Sequence, residues 1–186
     1  CDANVHGLPI LYASPGFVEL SGYMPTECVG KSCGDVIGIN SILSSVVCLP
    51  SMPQKAALEV MMSIKEYIAT DVRDMMASHQ NRFRVGLALN RKKNGDMFVC
   101  QFNMFAHVVD DRQYCIGFQR DVSSEVSVQQ LLLCAREPTS YAALVAKRRE
   151  ESAVDLRAQL GSEEIMCFLQ EKIAELCFDS PKGPSP

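Results

Sequence analysis

Tyr12-Ala13-Ser14-Pro15-Gly16-Phe17-Val18-Glu19-Leu20-Ser21-Gly22-Tyr23 is the stretch on which the fold reading turns. It follows an apolar run, Leu8-Pro9-Ile10-Leu11-Tyr12-Ala13, so Val5 to Ser14 reads as a short buried strand closed by the turn Ser14-Pro15-Gly16. Phe17, Val18 and Leu20 then share one helical turn, which stops near Gly22 and Pro25. Thr26 is placed to cap a further short turn ending at Gly30. Short elements in close succession suit an α+β domain and not a helical bundle.

Downstream, Ile39 to Pro53 has little periodicity and two prolines, Pro50 and Pro53, and reads as a loop. From Lys55 to Ala77 the apolar positions Leu58, Met61, Met62, Ile64, Ile68, Val72, Met75 and Met76 recur at helical spacing. Three strand-like runs follow: Phe83 to Leu89, Met97 to Val109 and Tyr114 to Val122, separated by Asn94-Gly95 and Asp110-Asp111. This is the pattern of an antiparallel meander. After Ser124 the pattern turns helical: Val126 to Arg136, a break at Pro138, a helix capped by Thr139 and running to Leu160, and a third after Ser162 with Ile165, Leu169, Ile173 and Leu176 on one face. The organisation expected is a core over residues 1–123 with an enlarged 38–82 segment, a helical extension over 124–179 and a tail over 180–186.

Composition narrows the function classes. The 186 residues are 47% hydrophobic and 22% charged, which is globular. The net charge of -4 argues against a nucleic-acid partner. Val36 to Gln54 is the longest uncharged run, but Asn40, serines and prolines interrupt it, so no membrane span is expected. The opening Cys1-Asp2-Ala3-Asn4 lacks the features of a signal peptide and an initiator Met, so the chain reads as a piece of a longer protein. Nine cysteines without a CxxC pair, and scattered His6, His79 and His107, give no zinc pattern. The expectation is free thiols in a reducing, cytoplasmic setting. No acid–base pair or nucleophile triad is visible, so no enzyme is expected.

Four segments carry a family resemblance. Tyr12 to Tyr23 resembles the YAS-x-GF-x-x-x-TGY signature of PAS domains, in particular the LOV (light, oxygen, voltage) blue-light subfamily. Gly30-Lys31-Ser32-Cys33-Gly34-Asp35-Val36-Ile37-Gly38 is similar to G-x-N-C-R-F-L-Q-G. Asn90 to Phe98 resembles N-Y-R-K-D-G-x-x-F, and Ile116-Gly117-Phe118-Gln119-Arg120-Asp121-Val122-Ser123 the closing I-G-V-Q-x-D-V-T. The resemblance implies a PAS fold with a five-stranded antiparallel sheet and helices on one face, binding FMN or FAD. By position it makes Cys33 the thiol that adds to the flavin under blue light, Gln119 the amide that switches its hydrogen bond, and Asn90 a ligand of the ring edge. Ser32, Lys65, Cys100, Phe102, Met104, Cys115 and Gly117 fall at the remaining pocket positions.

The sequence also departs from that pattern. Ser32 stands for asparagine, Gly34 for a phosphate-binding arginine and Ile37 for glutamine. Val99 and Cys100 stand for Trp and a second asparagine, Met104 for leucine and Cys115 for phenylalanine. Lys65 replaces a second phosphate arginine, a point charge in place of a fork. The longer 38–82 segment suits FAD or a surface helix. Three functions follow: a blue-light photoreceptor signalling through strand and C-terminal helices, a flavin-free PAS domain for dimerisation or partner binding, and a thiol redox sensor. The C-terminal helices are the expected surface for a homodimer, an effector domain or a partner protein.

Overall fold

The computed structural model describes residues 1–43, 53–77, 83–109 and 111–160, and the helical positions 167, 171, 172 and 175. The chain divides into two compact units, Cys1–Val145 and Ala146–Pro186. In the second, Arg148 pairs with Glu151 at 2.6 Å and Lys172 with Glu175 at 2.6 Å, each one helical turn apart. The helix expected after Ser162 and the tail lie outside the described residues, apart from those four positions.

In the first unit, helix α1 (Pro15–Ser21) begins where the turn residues direct it. The Ser14 hydroxyl accepts the Phe17 N–H, and Pro15 occupies the first helical position, where its missing N–H costs nothing. Gly22 ends the helix at φ +77°, in the left-handed region open to glycine. The next helix, α2 (Pro25–Cys28), starts at Met24 and not at Thr26: the Glu27 carboxylate reaches back to the Met24 N–H at 2.8 Å, and Pro25 again sets the first turn. Helices α3 (Cys33–Val36) and α4 (Ile39–Leu43) follow. The latter is a correction to the loop expected from Ile39, because Ile39 and Ile42 are buried in the core. The rest of that expected loop, 44–52, lies outside the described residues. The long helix α5 (Gln54–Ala77) matches the periodic pattern.

Strands β1 (Phe83–Arg91), β2 (Met97–Val109) and β3 (Arg112–Asp121) form the meander, paired antiparallel in the order β1-β2-β3. The five strands expected are three among the described residues. The N-terminal segment reaches the sheet beside β3, through the Asp2–Tyr114 bridge and backbone bonds of Cys1 with Cys115 and of Ala3 with Gln113, while Pro9 bridges to Ser32 at the start of α3. Its apolar run is not one strand because Gly7 and Leu8 adopt positive φ (88° and 51°) and Pro9 has no N–H to donate.

Register decides which side chains share a face. Gly86, Phe102 and Gln119 lie abreast across the three strands, as do Ala88, Cys100 and Asp121. Leu87, Leu89 and Val99 face the other way. They join Ile42, Val60, Ile64 and the buried face of α6 (Val128–Cys134) in the main core cluster. Helix α7 (Pro138–Leu160) starts at Pro138, so the proline opens this helix as well as closing the one before. Its first turns dock on the sheet: Tyr141 stacks on Tyr67 at 5.0 Å and donates its hydroxyl to the Leu87 carbonyl at 2.7 Å. Burial pushes the Tyr141 phenol well above its usual range, so it stays a donor at any physiological pH. Tyr141→Phe is therefore expected to cost about 1–3 kcal/mol in urea unfolding by orphaning a buried acceptor; an unchanged midpoint would show that the bond contributes nothing.

Candidate functional site

The side chains singled out in the sequence come together on one face of the sheet, opposite α3. Ser32 caps that helix, its hydroxyl accepting the Asp35 N–H at 3.2 Å and donating to the Asp35 carboxylate at 2.7 Å. The cap fixes the first helical residue, Cys33, with its thiol toward the sheet. There the Gln119 amide Nε2 donates to the Cys33 Sγ at 3.3 Å. The amide's Oε1 in turn accepts from the Cys100 Sγ at 3.6 Å. One glutamine on β3 thus joins a thiol on a helix to a thiol on β2, satisfying an amide that interrupts an apolar strand.

Cys33, Cys100 and Cys115 are all held protonated. Burial pushes Cys33 up, with the Gln119 N–H offsetting part of the shift. Burial raises Cys100 far above the ordinary thiol range, and pushes Cys115 up to about 11. Cys115 lies away from the Gln119 bridge, with Met75, Ala106 and Met104. The seven described cysteines are all free thiols.

The other predicted residues are distributed around this centre. Asn90 is buried beside Phe98, its partner across the strands. Phe102 lies over Gly86 so closely that a Cβ at that glycine would come within 2.1 Å of the ring. Gly117 pairs with Met104. Lys65 is not part of the centre: its Nζ donates to Asn40 Oδ1 at 3.0 Å, and Asn40 Nδ2 donates to Asp35 at 2.7 Å. Ser32 and Asn40 hold the Asp35 carboxyl below its usual range, so it is ionised at neutral pH. The cation that the resemblance assigns to a phosphate is thus engaged by a chain that ends in a carboxylate. Sequence reading missed Asp35, Asn40 and Gly86. The i, i+3 pair Ser32 and Asp35 was a visible capping signal, whereas the packing at Gly86 had none.

A flavin ring can be tested against this geometry. A flavin seated as the resemblance implies would set its face against Cys33 and its edge against Gln119, holding the two groups apart by the ring between them. Cys33 and Gln119 are in direct contact at 3.3 Å. Seating the ring therefore requires that contact to open, and neither Lys65 nor Gly34 supplies a fork for a phosphate.

A family model described as "PAS domain" matches residues 3–124. The chain belongs to the PAS domain family. Its α+β architecture is the PAS fold, and PAS domains are sensory modules. Solved structures similar to this chain include a fungal LOV domain photoreceptor, 24% identical over 65% of this chain and 72% of that one, with a TM-score of 0.45. A variant of Vivid is 23% identical over 65% and 78%, at a TM-score of 0.45. The light-state structure of the photoreceptor Aureochrome1 LOV is 20% identical over 80% and 87%, again at 0.45. No curated protein matches the chain. Among the described residues no helix of this PAS domain is long and apolar enough to cross a membrane, and no group of three or more His, Cys, Asp or Glu is placed to hold a metal ion.

Proposed function

We propose that this PAS domain is a LOV-type sensory module that signals by conformational change with its centre closed by its own side chains, working without a flavin. The observation that carries this reading is the Gln119 amide lying between Cys33 and Cys100, at 3.3 and 3.6 Å. A bond between α3 and β3 at this place couples helix position to the strand that leads into α6. Anything that breaks it changes how β3 hands over to the C-terminal helices. Those helices are the route to a partner protein, an effector domain or a second copy of the chain.

A second reading, the blue-light flavin photoreceptor, is favoured by one specific feature. Cys33 and Gln119 face each other across the interior with the thiol protonated, in the register that the LOV resemblance requires. It requires the Gln119–Cys33 contact to open. FMN or FAD would then supply light absorption, with Asn90 and Gln119 offering amide groups to its polar edge. The thiol redox sensor is not supported, because burial moves Cys33, Cys100 and Cys115 away from the reactive thiolate.

The absorption spectrum of the purified chain, before and after mixing with FMN, FAD or riboflavin, separates these readings. The flavin-free module shows no visible band and no thermal shift with any flavin. A bound flavin at a hundred times its Kd would add about 2.7 kcal/mol of stability and could not be missed. Stoichiometric flavin that bleaches reversibly in blue light, with bleaching lost in Cys33→Ala, would overturn the first reading and establish the second.

A further inference from the structure

The strand that carries Gln119 ends two residues later in a polar joint that the sensing centre does not use. Lys92 Nζ lies 3.1 Å from Asp121 Oδ2 and 5.3 Å from the centre of the Phe98 ring. The other carboxylate oxygen, Asp121 Oδ1, accepts the Ser123 N–H at 3.0 Å and the Ser123 hydroxyl at 2.6 Å. The same Ser123 oxygen accepts the Val99 N–H of β2 at 2.9 Å, while Val122 N–H donates to the Val99 carbonyl at 2.9 Å. One hydroxyl therefore ties the end of β3 to β2, just before the chain enters α6. Burial works against it, but the Ser123 bonds and Lys92 hold the Asp121 carboxyl below its usual range.

Ser123 itself is exposed. Arg120, three residues before it, is half-exposed, with its guanidinium 3.4 Å from Glu125. An arginine three residues before an accessible serine is the arrangement that arginine-directed serine kinases read, because the guanidinium pairs with carboxylates in the kinase groove.

We propose that Ser123 is a phosphorylation site that releases α6 from the sheet. The γ-phosphoryl of ATP passes to Ser123 Oγ: the bond to the β-phosphate oxygen breaks, ADP leaves, and the hydroxyl proton goes to the kinase's base. Asp121 loses the donor it holds at 2.6 Å and gains a dianion in its place. Two like charges at hydrogen-bond distance open the joint. The buried Val122 and Val126, which anchor the start of the extension, then lose the Ser123–Val99 tie beside them. This inference concerns the exit of the domain and does not rest on which ligand the centre takes, so the flavin experiment leaves it untouched.

The test incubates the whole chain with ATP and an arginine-directed serine kinase, maps the phosphate by mass spectrometry and follows amide hydrogen exchange. Phosphate is expected on Ser123, with incorporation falling at least tenfold in Arg120→Ala and disappearing in Ser123→Ala. In the phosphorylated chain, amides of residues 122–135 are expected to exchange roughly tenfold faster while the centre of β2 is unchanged. Ser123→Ala removes the hydroxyl bonds without adding charge, and its exchange is expected to fall between the two states. Phosphate only at Ser124 or Ser127, no incorporation into the folded chain, or unaltered exchange after stoichiometric phosphorylation of Ser123 would each overturn the proposal.

Discussion

Leu131→Ala is expected to lower the unfolding free energy by about 2–5 kcal/mol, against a typical domain stability of about 5–15 kcal/mol. Leu131 is fully buried, in one cluster with Leu87, Leu89, Val99, Val122 and Tyr141. Truncation removes the transfer energy of the side chain and leaves a cavity between helix and sheet that a rigid strand pair cannot collapse to fill. Leu133, two positions on, is 50% exposed, so Leu133→Ala is the internal control and should shift stability by less than about 0.5 kcal/mol. Urea unfolding of both variants checks this. Equal midpoints for the two would mean that α6 does not pack on the sheet through its Leu131 face.

The second large effect is at Gly86. A methyl group there would meet Phe102 Cζ at 2.1 Å, Cε2 at 2.6 Å and Cε1 at 2.9 Å. Gly86 lies on β1 directly opposite Phe102, which is opposite Gln119, so a ring pushed away from Gly86 moves toward the centre. Gly86→Ala is expected to cost about 1–3 kcal/mol through overpacking. Phe102→Ala should relieve most of that cost, so the double variant is expected to be less destabilised than the sum of the singles by about 1 kcal/mol or more. Additive losses would rule out the clash as the cause. Because displaced ring atoms crowd Gln119, Gly86→Ala should also make the Cys33 thiol more reactive to a maleimide, a readout that a purely local strand defect would not move.

Much of the fold was legible beforehand where a signal is local. The 24-residue helix α5 stood out because apolar spacing over seven turns leaves little choice of face. The hairpin at Asn94-Gly95 was visible because Gly95, at φ +99°, takes a conformation that few other residues accept. The first strand was not legible: its apolar composition was real, but two positive-φ residues and a proline break the ladder. Helix α4 was missed because its five residues are too short to show a period, and burial of Ile39 and Ile42 holds it. At the centre, motif position singled out Cys33 and Gln119, and the structure sets them 3.3 Å apart. Nothing local showed that they would touch, nor that Lys65 would turn to Asn40.

By itself the sequence determined the order of the main elements, the turns at Ser14-Pro15-Gly16 and Asn94-Gly95, the alternation along β2 and membership in the PAS family. These depend on interactions within a few residues, or on periods of two and 3.6 that any chain of this pattern must obey. The tertiary structure alone decided the bridge from Cys33 through Gln119 to Cys100 and the Phe102 ring over Gly86. It also decided the clasp of Ser123 on Val99. Each joins residues from 16 to 86 positions apart, at distances of a few ångströms set by how α3 and three strands pack. Whether that packing sets Cys33 and Gln119 in contact or apart depends on where α3 lies over β3, and no local pattern of residue types encodes it.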